Sequence, residues 1–197
     1  MRRLIVCAAF AAALLMGPSV VAQVGEAVSI DSALCVVEPM SVDDLVALIP
    51  TGTPAPRTNT GADFVPPTGT PADAETATAV SEFVYELSAC NQAGNILAVF
   101  ALQSDAYTKG TLSRMGMTEA QVQQLVGTGD PVDTGNQNVT TINDIVVLDD
   151  GRIGVAVTEV VTNPSGLVET FDMYYTLVES ETAGQYLLDE YVLVSVV

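Results

Sequence analysis

The spacing of apolar residues predicts two kinds of element in the two halves of the chain. Over residues 72–92, apolar side chains recur at the three- and four-residue steps of an amphipathic helix: Ala77, Val80, Val84 and Leu87. From Val139 onward the period becomes two, and β-branched and aromatic residues dominate. Helices followed by strands indicate an α+β fold, with N-terminal helices packed on one face of a curved antiparallel sheet.

The second half of the chain predicts about four long strands. Their sequences are VTTINDIVVLD, RIGVAVTEVVT, LVETFDMYYTLVE and QYLLDEYVLVSV, and the turn sequences DDG, NPSG and SETAG separate them. Connections this short join neighbouring strands, so we expect an antiparallel meander. DDG at 149–151 is interpreted as a hairpin turn, because the spaced acids of a calcium-binding loop are absent.

Shorter helices are predicted around the long one. Ser41 can cap a helix that continues to Ile49, and Thr118 with Gln121 forms a capping box before EAQVQQLV. Asn95 can cap the apolar segment ILAVFALQ. Gly94 interrupts the pattern just before that segment, so we expect it to be the hinge between two helices, with a positive φ.

The first 22 residues have the pattern of a signal peptide. Two arginines precede an apolar run from Leu4 to Met16, and small residues lead to a cleavage point after Ala22. The run is shorter than the roughly 20 residues that span a bilayer. We expect a secreted, extracytoplasmic protein that is soluble once residues 1–22 are removed.

The remaining chain divides into three segments. Residues 50–71, PTGTPAPRTNTGADFVPPTGTP, hold six of the ten prolines and read as a flexible linker. The linker joins an N-terminal extension with a short helix, 23–49, to the main α+β domain, 72–197.

Cys35 and Cys90 are the two cysteines left after removal of the signal peptide. An oxidising compartment makes a disulfide the default for such a pair. Two free thiols or a redox role are the alternatives, and no CxxC spacing supports the latter.

The charge balance excludes several partners and chemistries. The chain has 24 acidic and six basic residues; loss of the signal peptide leaves four basic ones, a formal net charge of −20. Such a surface repels phosphate backbones and anionic lipid, so we expect no nucleic-acid or membrane partner. The sequence contains no histidine, which removes the usual neutral-pH base and histidine-based metal sites. We expect no cofactor and no metal.

The segment SACNQAGNILAVFALQSDAY, residues 88–107, resembles the helix joint of secreted bacterial members of the nuclear transport factor 2-like superfamily. The similarity covers about residues 72–197. It departs from the family pattern at Asn95, where an acid is frequent, and lacks the short hairpin of many enzymatic members. The resemblance implies a cone-shaped α+β fold, as in ketosteroid isomerases and polyketide cyclases, with a carboxylate base, often beside a tyrosine, inside the cone. It also implies pairing into homodimers.

Carboxylate–tyrosine chemistry has several candidates on the strands: Glu159, Glu169, Asp172 and Glu190, with Tyr174, Tyr175 and Tyr191. From these we single out Glu169, Glu190 and Tyr175 as candidate catalytic residues. The favoured alternative is that the acids mark the solvent face of the sheet. The more apolar face of the third strand should face the helices: Glu169, Phe171, Met173, Tyr175 and Leu177.

Three classes of function remain open, and the third is a homodimeric scaffold, since cone-shaped folds often pair sheet to sheet. The favoured hypothesis is a non-catalytic domain that binds a small apolar ligand or a protein partner. The alternative is a lyase or isomerase that uses a carboxylate and a tyrosine. A cavity holding an acid and a tyrosine hydroxyl would favour the enzyme, and a filled interior would favour an interaction module.

Overall fold

The computed structural model describes residues 24–50, 64–127, 130–182 and 184–197. The predicted signal peptide and linker residues 51–63 lie outside this part of the chain. The described part is an α+β structure with five α-helices and a six-stranded antiparallel sheet. Among these residues, no helix is both long enough and apolar enough to cross a membrane.

Along the sequence, the helices precede the long strands. Their bounds are α1 Val42–Ala47, α2 Ala74–Gln92, α3 Ile96–Ala101, α4 Asp105–Met115 and α5 Glu119–Val126. The predicted caps are confirmed: the side chains of Ser41, Asn95 and Thr118 each accept from a backbone N–H in the first turn. Helix α4 was not predicted, because its sequence is mostly polar and buries only Thr108 and Leu112.

Four long strands form the predicted antiparallel meander. The strands of the sheet are β1 Ala27–Ser29, β2 Thr70–Pro71, β3 Gln137–Val147, β4 Ile153–Thr162, β5 Val168–Glu179 and β6 Tyr186–Val196. The spatial order is β1-β3-β4-β5-β6, and β2 also pairs with β3. The prediction of about four long strands is therefore incomplete, because two short strands from the first part of the chain extend the sheet.

The N-terminal extension is part of the folded structure. Its strand β1 pairs with residues 139–141 of β3, and Gln92 at the end of α2 donates to the carbonyl of Ile30. Leu45 in α1 is fully buried in a small second core with residues of α3, α4 and α5. Removing this segment would expose both the edge of β3 and that second core.

The last part of the predicted linker packs on the sheet instead of remaining free of it. Thr70 and Pro71 pair with Val147 and Val146 of β3. The ring of Phe64 lies 5.3 Å from that of Tyr174. Tyr174 and Tyr175 are successive residues of β5, so Phe64 covers the sheet face opposite the helices.

The main core lies between α2 and the other face of the sheet. Val80, Phe83 and Val84 of α2 belong to one cluster with Val155 of β4 and Leu177 of β5. The β5 residues that the pattern assigned to the helix side, Phe171, Met173, Tyr175 and Leu177, belong to or pack against this cluster, which confirms the prediction.

Candidate functional site

A cavity of about 360 Å³ lies between the helices and the inner face of the sheet. The helical wall comes from α2, α3 and the start of α4, and the sheet wall comes from β4, β5 and β6. The lining residues are Leu87, Asn91, Val99, Gln103, Tyr107, Glu159, Phe171, Met173, Tyr175, Leu188 and Tyr191. Four of these side chains are aromatic, six are uncharged aliphatic, amide or thioether groups, and one is a carboxylate.

The carboxylate belongs to Glu159, which strand geometry places among apolar residues. In β4, Val155, Val157 and Glu159 alternate onto the helix-facing side. Glu159 is paired across the strands with Thr140 of β3 and Phe171 of β5. Its side chain is partly buried, and Asn138 Nδ2 donates a hydrogen bond to Glu159 Oε1 at 3.0 Å.

Burial raises the pKa of Glu159, because desolvation penalises the charged form. Hydrogen bonds from Ser88, Asn138 and Thr140 act in the opposite direction but do not cancel the effect of burial. The carboxyl group can therefore accept a proton more readily than an exposed glutamate.

Three tyrosines surround the same space. The Tyr175 and Tyr191 rings are 5.9 Å apart, and the Tyr175 hydroxyl donates to the sulfur of Met173 at 3.5 Å. Burial raises the pKa of Tyr175, Tyr191 and Tyr107, and the negative charge of Glu159 adds to the first two. The hydroxyl of Tyr175 has only a weak acceptor in the thioether of Met173.

The structure brings only part of the predicted residue set into the cavity. Tyr175 lines it, whereas Glu169 is exposed near the start of β5. Glu190 is also exposed, since it pairs with Thr176 on the face opposite the helices. Asp172 lies on that opposite face too, where Thr158 and Ser195 donate to its carboxylate.

Buried polar side chains form a hydrogen-bonded cluster next to Glu159, and the sequence did not predict this cluster. Thr140 donates to Ser88 at 3.2 Å, and the backbone N–H of Asn138 donates to Gln92 Oε1 at 2.9 Å. Asn138 begins an N-V-T triplet that fits a glycosylation sequon, yet its side chain is almost fully buried. The period-two pattern of β3 puts Asn138 and Thr140 on the same face as the buried Ile142. This pattern was the feature of the sequence that could have predicted the cluster.

The joint between α2 and α3 lies in the chain between two residues that line the cavity, Asn91 and Val99. Gly94 has φ of 64°, and its carbonyl accepts from the N–H of Val132. The predicted hinge is thus confirmed as a left-handed residue between two separate helices. A second, mainly apolar cavity of about 470 Å³ lies on the other side of this joint and shares Asn91, Val99 and Gln103 with the first.

The disulfide between Cys35 and Cys90 is present, with 4.7 Å between the Cα atoms, as the cysteine count predicted. It ties the N-terminal segment to the last turn of α2, next to the joint. Within the described ranges, no group of three or more acidic or cysteine side chains is placed to hold a metal ion.

Compared with known proteins, the chain matches no family model, no curated protein and no solved structure.

Proposed function

We propose that the protein is an exported, cone-shaped domain of the nuclear transport factor 2-like type that binds a small, largely apolar molecule in the cavity beside Glu159. The observation that carries this proposal is an unfilled space between helices and sheet, lined mainly by aromatic and aliphatic side chains around one carboxylate. A filled interior would instead have favoured an interaction module.

The size and chemistry of the cavity support this function. Ligand pockets usually measure about 300–1,000 Å³ and combine apolar walls with a few polar groups that fix orientation. Here the rings of Phe171 and the tyrosines supply apolar area, while Glu159, Asn91 and Gln103 supply the polar groups. The disulfide and the left-handed Gly94 constrain the end of α2 and the start of α3, which carry part of the helical wall.

Native mass spectrometry of the full chain, expressed in an export-competent host, tests the proposal. Val99 lines the cavity, so Val99→Phe should fill it and abolish the mass of a co-purifying or added apolar molecule. Val160→Phe adds the same volume to a strand position on the face opposite the helices and is the matched control. Equal ligand occupancy in both variants would contradict binding in this cavity.

A second function is favoured by one observation: the raised pKa of Glu159 in the space that Tyr175 also lines. A carboxylate of this kind can abstract a proton beside a carbonyl, and a tyrosine hydroxyl can donate to the developing oxyanion. This is the lyase or isomerase alternative, with Glu159 in place of the exposed Glu169 or Glu190.

Deuterium exchange at the α-carbon of a cyclic ketone tests this alternative. Catalysis should be lost in Glu159→Gln and kept in Glu169→Gln, which removes an exposed carboxylate of the same strand face. Exchange at the uncatalysed rate with the unchanged protein would exclude proton abstraction and leave the binding proposal standing.

A further inference from the structure

The charge of Glu159 has no counter-charge in the cavity. Ion pairs in the described part of the chain join Lys109 to Asp105 and Arg152 to two aspartates, and none includes Glu159. The residues that line the cavity include neither lysine nor arginine. Because removing a carboxylate from water is costly without a partner, partly buried carboxylates are usually paired with a cation.

Aromatic rings line the same cavity as this unpaired charge. Tyr107, Phe171, Tyr175 and Tyr191 line the same space as the carboxylate. A cation near the face of an aromatic ring is attracted by the ring quadrupole, and cages of such rings are the usual recognition site for quaternary ammonium groups. Arg114, 5.8 Å from the Tyr107 ring, already makes a contact of this kind outside the cavity lining.

We infer that the ligand class of the cavity is an organic cation with an apolar body, a substituted amine or quaternary ammonium compound whose positive charge faces Glu159. This inference rests on the proposed binding function and specifies its ligand. The carboxylate supplies the charge, the tyrosine and phenylalanine rings supply cation–π contact, and Leu87, Val99 and Leu188 contact the apolar part. The acidic surface, with a formal net charge of −18 for the whole chain, raises the local concentration of cations.

Choline and its neutral carbon analogue 3,3-dimethylbutan-1-ol separate charge recognition from apolar binding, since both have nearly the same shape. Affinities are measured by NMR titration of the full chain at about 0.15 M salt, where exposed charges are screened beyond roughly 8 Å. Choline should bind about tenfold more tightly than the alcohol, because the aromatic rings and the Glu159 carboxylate attract its positive charge in a desolvated site. Glu159→Gln should reduce this preference to the smaller part that the aromatic rings supply.

Glu169→Gln is the matched control, because it removes the same charge from an exposed position of the sheet. It should leave the preference for choline unchanged. Equal or tighter binding of the alcohol by the unchanged protein would overturn the cation assignment while the cavity remained a ligand site. Binding of neither compound would contradict the proposed function as well. A preference that is undiminished in Glu159→Gln would show that the Glu159 carboxylate does not recognise the cation, and would overturn the inference.

Discussion

Replacing Gly94 with alanine tests the joint that holds the helical wall of the cavity. Gly94 has φ of 64°, and a Cβ added there would overlap the backbone carbonyl oxygen of Val132 and lie 2.8 Å from its carbon. Gly151 is the matched control, since its φ of 85° is also left-handed but a Cβ there meets no atom within 4 Å.

The expected magnitudes follow from these two environments. A left-handed backbone costs an L-residue roughly 1–2 kcal/mol, and the stiffer unfolded chain returns about 0.4–1 kcal/mol. Gly151→Ala should therefore lower the free energy of unfolding by about 1 kcal/mol. In Gly94→Ala the backbone of Val132 must also move, and overpacking of this kind adds about 1–3 kcal/mol. The total loss should be about 2–4 kcal/mol.

Urea denaturation followed by far-UV circular dichroism measures both free energies, since the chain has no tryptophan for fluorescence. Equal losses in the two variants would show that contact with Val132 does not constrain the joint. A loss below about 0.5 kcal/mol in Gly94→Ala would contradict the left-handed geometry itself.

Three further outcomes are expected. Leu45→Ala should cost about 2–5 kcal/mol because the side chain is fully buried, whereas Val36→Ala, at an exposed position, should cost almost nothing in the same denaturation assay. Reducing the disulfide, whose cysteines are 55 residues apart, should lower stability by up to about 4 kcal/mol, and thiol titration before reduction should find neither of its cysteines free. Relative to the unchanged protein, Glu159→Gln should become increasingly stabilising as pH rises from 3 to 7. The raised folded-state pKa of Glu159 gives stability that is present below the unfolded pKa and is lost as pH rises. Asp172→Asn should show the reverse trend, because hydrogen bonds lower the pKa of Asp172 and its contribution to stability is lost as pH falls. Parallel pH trends in the last two variants would contradict the assigned environments.

Local rules predicted four of the five described helices and the facing of β5. The three- and four-residue spacing located α2, and the capping residues located the starts of α3 and α5, because these signals depend on neighbours in the chain. Alternation assigned Tyr175 to the helix side correctly, since both irregularities in the β5–β6 pairing place the extra residue on β6.

Long-range pairing and bulges explain what the sequence did not predict. Strands β1 and β2 have three and two residues, too few for a period to be visible. Simple alternation groups Glu190 with the buried Leu188 on the helix-facing side of β6. The bulge at Asp189 reverses the alternation, so that Glu190 lies on the opposite face. Glu159 was detectable as an acid in line with Val155 and Val157, but its partners Ser88 and Asn138 come from distant parts of the chain.

The most direct test of the central claim, that the cavity beside Glu159 is a small-molecule site, is an NMR titration of the methionine ε-methyl groups. Met173 lines the cavity, while Met115 is about half exposed at the end of α4 and reports non-specific binding. Added choline or 3,3-dimethylbutan-1-ol should shift the Met173 signal in a saturable manner and leave Met115 unchanged, and Val99→Phe should abolish the shift. An unchanged Met173 signal at saturating probe, or equal shifts of both methyl groups, would contradict the account.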